Sequence, residues 1–147
     1  MELFVYGTLL FPELRNKILQ KEVKSVSAEL FNYQVVVLRH VERFSEYPVL
    51  IKSNETKVRG EILIALNDSD MDILNFYEGD EYILKEVSVL SEKEIRNVPS
   101  YMPRENFNFA FGPSWDREYF QKTFLQSYLK HVIPDTLTEY DKKYGSK

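Results

Sequence analysis

A chain of 147 residues, 44% of them apolar, is long enough to fold as one domain around its own core and needs no second one. Its net charge of −4 and sequence pI of about 5.3 supply none of the positive field that holds a phosphate backbone, which argues against nucleic acid as a partner. Cysteine is absent, so disulfides, thiolate nucleophiles and Cys-ligated zinc drop out together, and a reducing cytoplasm is the expected location.

Met1-Glu2-Leu3-Phe4-Val5 lacks a basic n-region, and its apolar run is short and broken by Gly7. It reads as a first core strand rather than a signal peptide or membrane span. Tyr6-Gly7-Thr8-Leu9-Leu10 follows and leads into Phe11-Pro12-Glu13-Leu14, so the strand is expected to end in a glycine-bearing loop that opens a helix, with Pro12 in its first turn. Backbone N–H groups at such a junction face whatever sits above the strand. Residues 30–38 and 47–52 are rich in β-branched and aromatic side chains, and 53–56 (Ser-Asn-Glu-Thr) supplies turn chemistry before a further strand over 58–66. Gly60 inside that strand suggests a bulge, a close approach to ligand or a packing contact.

Asn67-Asp68-Ser69-Asp70 brings cap residues and early acidic charge, followed by Met71, Leu74 and Glu78 at helical spacing with Gly79 in the position after the last turn. Strands are then expected over 82–90 and over 106–111, where Asn and Phe alternate. The longest helical pattern starts near Ser114, repeats through Phe120, Phe124, Tyr128 and Leu129, and is expected to stop at Pro134, leaving 142–147 as a frayed tail. No repeat, low-complexity tract or linker divides the chain, so 1–147 is read as a single domain.

One carboxylate stands out. Glu78 falls on the apolar stripe of Met71 and Leu74, which aims it at the core. Burial, the negative end of the helix dipole and the neighbouring Asp80 and Glu81 are all expected to raise its pKa, as a group exchanging protons near neutral pH requires. Asp80 and Glu81 are themselves read as solvent-facing.

Tyr6-Gly7-Thr8-Leu9-Leu10 together with Glu78-Gly79-Asp80-Glu81-Tyr82 resembles the gamma-glutamylcyclotransferase-like superfamily, in its gamma-glutamylamine cyclotransferase-like branch, and the likeness runs on through Tyr47-Pro48-Val49-Leu50, Val58-Arg59-Gly60-Glu61 and Glu86-Val87-Ser88-Val89. It covers about the first ninety residues. The resemblance implies an α+β fold, a mixed, mostly antiparallel sheet curled into a small barrel, with helices from Pro12, Asp68 and Ser114 packed around it. It also implies that Glu78 is the general acid/base and that Tyr6, Gly7, Thr8, Leu9, Leu10 and Tyr82 bind substrate, with main-chain groups of Gly7 to Leu10 holding a glutamyl unit. The implied partner is a small γ-glutamyl compound, cyclised to 5-oxoproline with release of an amine or amino acid, and neither metal nor organic cofactor is called for. A non-catalytic module that keeps the same pocket is the alternative. The leaving amine is not specified by these motifs.

Other constellations carry less. His40-Val41-Glu42 has the H-x-E of zinc deaminases without their cysteines. His131 reads as a cation in the last turn of a helix. Ser27, Ser45 and Ser114 lack a His/Asp partner pattern, and Arg39 and Arg43 are read as solvent-facing. The aromatic stretch at 106–111 lacks the basic groove of a base-stacking platform.

Overall fold

A computed structural model describes residues 1–40, 47–104 and 109–145, with the backbone alone at 38–40, 47 and 109–111. Strand β1 (Leu3–Val5) runs through a 3₁₀ turn (Thr8–Leu10) into helix α1 (Pro12–Leu19), as expected from Pro12. Two long strands follow, β2 (Ser25–His40) and β3 (Tyr47–Leu63), then helix α2 (Asp68–Glu78) and strands β4 (Tyr82–Ser91), β5 (Glu94–Pro103) and β6 (Phe109–Ser114). The sheet order is β3-β1-β5-β4-β2, and β2 pairs back onto β3, so five strands close a barrel while β6 extends one end of β2. Only β1 with β5 is parallel; the other pairings are antiparallel. The α+β barrel expected from the resemblance is therefore the architecture observed.

Alternation along β1 divides the core. Phe4 and Tyr6 turn one way, onto Leu30, Leu50, Val58, Ile62, Val89 and Val98 of the other strands, and fill the barrel. Leu3 and Val5 turn the other way, onto Leu14 and Ile18 of α1, Leu74 of α2, and Leu125 and Ile133 beyond β6. No described helix is long and apolar enough to cross a membrane.

Several local expectations are corrected. Residues 53–56 do not divide two strands: Lys52 pairs with Tyr33 and Lys57 with Phe31, so these four residues bulge opposite Asn32 within one continuous β3. The turn chemistry read there serves the bulge, where Glu55 and Asn32 adopt φ of 65° and 64° and the Thr56 hydroxyl donates to Ser53 and Tyr33 carbonyls. Gly60 pairs in register with Ala28, without a bulge, and a Cβ there would stand 2.3 Å from the Val5 carbonyl oxygen and 2.7 Å from the Phe4 ring. Packing, not ligand approach, accounts for that glycine. Strand β5 was not anticipated, because its hairpin with β4 turns on Glu92 and Lys93 at φ 52° and 68° rather than on the Asn or Gly that usually marks such a turn. The expected strand at 106–111 falls partly outside the described residues, and β6 starts at Phe109.

The carboxyl-terminal run also differs. Ser114 still belongs to β6, and Asp116 is the cap, its carboxylate accepting from the Tyr119 N–H at 3.1 Å, so α3 is Arg117–Thr123. A short α4 (Leu125–Ser127), a π turn (Tyr128–Val132) and α5 (Ile133–Tyr144) continue it past Pro134. Pro134 has no N–H to donate and its ring would collide with the Lys130 carbonyl of a regular helix. The widened turn removes that collision: the Ile133 N–H reaches back five residues to Tyr128, and Pro134 sits in the opening turn of α5, where it is tolerated. Residues 142–144 are thus helical, closed by Gly145 at φ 71°, and His131 lies within the run with no helix end to cap.

Gly60→Ala is expected to destabilise the fold by about 1–3 kcal/mol through overpacking against Val5 and Phe4, whereas Gly145→Ala, with nothing within 4 Å of its Cβ, should cost no more than about 1 kcal/mol of backbone strain. Urea denaturation of the two variants checks the difference.

Candidate active site

A cavity of about 300 Å³ opens where β1 ends. One wall is Tyr6, Gly7, Thr8 and Leu9, with Pro48 beside them; Tyr77 and Glu78 come from the end of α2, Tyr82 and Tyr101 from the barrel, and Tyr128, Val132 and Thr136 from the carboxyl-terminal helical run. Gly7 is set by contact, because a Cβ on it would lie 2.5 Å from Cγ of Pro48. In the 3₁₀ turn the Leu10 N–H donates to the Gly7 carbonyl at 3.0 Å and the Phe11 N–H to the Thr8 carbonyl at 3.2 Å. The first N–H groups of a helical turn have no acceptor behind them, and those of Thr8 and Leu9 find none among the described residues. They belong to residues that line the cavity.

Sequence reasoning did not single out Arg15, which holds this turn from behind. Its buried guanidinium donates to the Leu9 carbonyl at 3.3 Å, to Glu61 Oε1 at 3.0 Å and to Ser25 Oγ at 3.0 Å, and the Ser25 hydroxyl closes the triangle by donating to Glu61 at 2.6 Å. Engaging the turn's carbonyls on the α1 side fixes its peptide orientation. Arg15 stands on the buried stripe of Phe11, Ile18 and Leu19, and a lone cation interrupting that apolar spacing was the available signal.

Glu78 closes α2, whose start is fixed by reciprocal hydrogen bonds between Asn67 and Asp70 and whose end is turned by Gly79 at φ 81°. Leu74, one turn earlier, is fully buried, and the same stripe carries the half-buried Glu78 into the cavity. Tyrosines surround it, yet their protons go elsewhere: Tyr6 donates to the Tyr101 carbonyl at 2.6 Å, Tyr82 to the Pro48 carbonyl at 2.9 Å, and Tyr101 to Asn75 Oδ1 at 2.5 Å. The Thr8 and Tyr77 hydroxyls bond each other at 2.8 Å. Among the described residues no ion pair involves Glu78. Although some of its surface remains accessible, the packed surroundings replace most of the water its charge would need. Desolvation therefore pushes its pKa up to about 8. Asp80 and Glu81, expected from the sequence to add to this shift, do not; burial is the cause. Burial first, and the Glu78 charge after it, hold the Tyr6 and Tyr101 hydroxyls above their ordinary range, and Tyr82 is raised in the same way with Tyr6 also contributing.

Of the positions nominated from the sequence, Glu78, Tyr6, Gly7, Thr8, Leu9 and Tyr82 meet around one cavity, while Leu10 does not line it and its N–H is committed within the turn. Tyr77, Tyr101, Pro48, Tyr128, Val132 and Thr136 were missed. Adjacency to Glu78 was the available signal for Tyr77; Tyr101 lies on the unanticipated β5. Arg43, Ser45 and Glu42 lie outside the described residues, as do the side chains of Arg39 and His40. No cluster of three or more His, Asp or Glu residues among those described is placed to hold a metal ion.

Residues 3–118 match the family model described as gamma-glutamyl cyclotransferase, AIG2-like. The chain belongs to this family. Protein AIG2 A of Arabidopsis thaliana is 28% identical over 134 residues, covering 88% of this chain and 75% of that protein. A solved gamma-glutamyl cyclotransferase shares the fold at a TM-score of 0.66 and 17% identity, covering 94% of this chain and 98% of its own. An Arabidopsis thaliana protein solved in solution gives a TM-score of 0.63 at 23% identity, covering 99% and 93%. The family match spans both the Gly7 turn and Glu78 and stops before Tyr128, so this AIG2-like protein completes its cavity with residues beyond the matched segment.

The raised pKa of Glu78 has a thermodynamic consequence. Between about pH 4.5, its unfolded value, and pH 8, the folded protein binds a proton that the unfolded chain has released, so the carboxyl's contribution to stability is complete below the lower value and is lost as pH rises through the upper one. Urea unfolding from pH 5 to 9 is expected to show this decline in the wild type, at most about 1.4 kcal/mol per pH unit, and Glu78→Gln should remove it.

Proposed function

We propose that this AIG2-like protein is a cyclotransferase that converts a γ-glutamyl compound to 5-oxoproline and a free amine, with Glu78 as its acid/base. The observation that carries the reading is a desolvated carboxylate, without an ion partner among the described residues, in one cavity with Thr8 and Leu9, whose N–H groups find no acceptor among those residues. Family membership supports it.

In the proposed reaction the Glu78 carboxylate takes a proton from the substrate's α-ammonium group. The substrate's α-ammonium, beside its own carboxylate, is a weaker acid than a peptide amino terminus, and a Glu78 pKa raised to about 8 makes this carboxylate a stronger base toward it than an ordinary one. The freed amine attacks the γ-carbonyl carbon, closing a five-membered ring, and the carbonyl π pair moves onto oxygen. Thr8 and Leu9 N–H groups would receive that oxyanion. As it collapses, the C–N bond to the leaving group breaks and protonated Glu78 returns its proton to the departing nitrogen. Tyr6, Tyr82 and Tyr101 shape the hollow without competing for protons, since each hydroxyl proton is already committed. Nucleophile and electrophile share one molecule, so holding it curled supplies a proximity advantage of about 7–11 kcal/mol in favourable cases.

Purified protein incubated with γ-glutamyl compounds should release 5-oxoproline, and Glu78→Gln should lower the rate by about 10²–10⁴-fold. Because the free enzyme's base must be ionised and the substrate's α-ammonium must still carry its proton, kcat/KM is expected to rise about tenfold per pH unit toward pH 8 and to fall again as that ammonium deprotonates. Equal rates for the two proteins would remove Glu78 from the chemistry. Tight binding of 5-oxoproline with no turnover of any compound would favour the non-catalytic module.

A further inference from the structure

We propose that a second cavity, between α2 and the end of α5, is a binding site for a methylated ammonium group, in which three aromatic rings take the cation and two carboxylates balance its charge. It stands apart from the cyclotransferase reading, because the two cavities share no lining residue.

This cavity has a volume of about 540 Å³. Asp72 and Phe76 reach it from one stripe of α2, Asp80 follows just beyond Gly79, and Tyr140 and Tyr144 come from successive turns of α5. The rings stand as walls to one another. Phe76 is edge to face with Tyr140, at 5.5 Å between centroids and 73°, and with Tyr144, at 6.1 Å and 85°, while the two tyrosines are 4.9 Å apart. Packing α5 onto α2 accounts for Phe76 and Tyr140, which are half-buried against the core. It does not account for Tyr144, which lines the cavity yet keeps 58% of its surface exposed.

The chain already sends a cation here. Lys143 holds its ammonium 6.0 Å from the Phe76 centroid and 5.6 Å from that of Tyr144, at the outer reach of a cation–π contact. Asp72 and Asp80 have no ion partner among the described residues, Lys143 included, and Arg104 donates to the Asp80 carbonyl rather than to its carboxylate. Two carboxylates and one ammonium leave a net negative charge beside three electron-rich ring faces, so the complementary ligand is a cation. The rings select its kind. A primary ammonium is a compact, strongly hydrated charge, and that of Lys143 stays at the limit of contact. A methylated ammonium spreads its charge over C–H groups, sheds water at lower cost and presses several methyl groups onto ring faces at once. Lys143 is then the resident cation that such a ligand displaces.

The test titrates the full chain, by calorimetry, with choline and with its uncharged isostere 3,3-dimethylbutan-1-ol. Choline is expected to bind about tenfold more tightly. Tyr144→Ala, at an exposed position, should weaken choline by about tenfold, Lys143→Ala should tighten it about threefold by removing the competing ammonium, and Glu78→Gln should leave it unchanged. A peptide bearing trimethyllysine presents the same headgroup and supports the site in either of two ways: tighter binding than choline assigns the group to a modified protein, and equal or weaker binding to a free small molecule. Equal affinity for choline and its isostere, or no binding of either, would overturn the site. Choline binding that Lys143→Ala does not tighten would overturn it as well, as would binding lost in Glu78→Gln and kept in Tyr144→Ala, which would place the cation in the Glu78 cavity.

Discussion

Three residues, Leu3 to Val5, hold the molecule together. β1 is hydrogen-bonded to β3 on one side and β5 on the other, and its parallel register with β5, Phe4 against Ser100, closes a ring that is otherwise antiparallel. The strand is too short to tolerate a shift, because moving it by one residue would send Phe4 into the helix layer and Leu3 into the barrel. Serine 100, Ser100 of β5, is fully buried and donates to the Phe4 carbonyl at 2.9 Å, fastening the same pairing through a side chain. Everything that follows β1, the glycine turn included, takes its position from this register.

The site inherits two kinds of rigidity from that frame. Behind the turn, the Arg15–Glu61–Ser25 triangle joins α1 to the barrel and engages the turn's carbonyls, which fixes the turn's peptide orientation. Across the cavity, α2 is capped at its start and ended by Gly79, which fixes how far Glu78 projects. The surrounding tyrosines are tied to backbone and amide acceptors. They contribute a medium of low polarity without neutralising the carboxylate, and this combination keeps the Glu78 pKa raised.

Much of this was legible in residue order. The alternation of Leu3 to Tyr6, the cap at Asn67 and Asp70, and the stripe through Met71, Leu74 and Glu78 each obey a local period, and local periods survive folding. Barrel closure was not legible from periodicity, since it depends on which distant strands pair; the resemblance carried it. Strand β5 escaped because its turn uses Glu92 and Lys93 in left-handed geometry, residues that announce no turn. The helix end assigned to Pro134 failed for a different reason: a proline forbids one particular hydrogen bond, and a chain with strong packing on both sides can rearrange around that prohibition. Tyr101 and Thr136 were hidden because their importance is entirely tertiary, whereas Arg15 was marked by its place on the apolar stripe of Phe11, Ile18 and Leu19.

The π turn divides the carboxyl-terminal run into two halves with separate anchors. Upstream, Trp115, Phe120, Phe124 and Tyr128 form an aromatic ladder that also stacks on Phe11 of the strand-to-helix junction; downstream, Ile133 is fully buried and Phe76 of α2 meets Tyr140. Braced on both sides, the interruption in helical hydrogen bonding does not loosen the run, and Tyr128, Val132 and Thr136 reach the cavity from one continuous segment of chain.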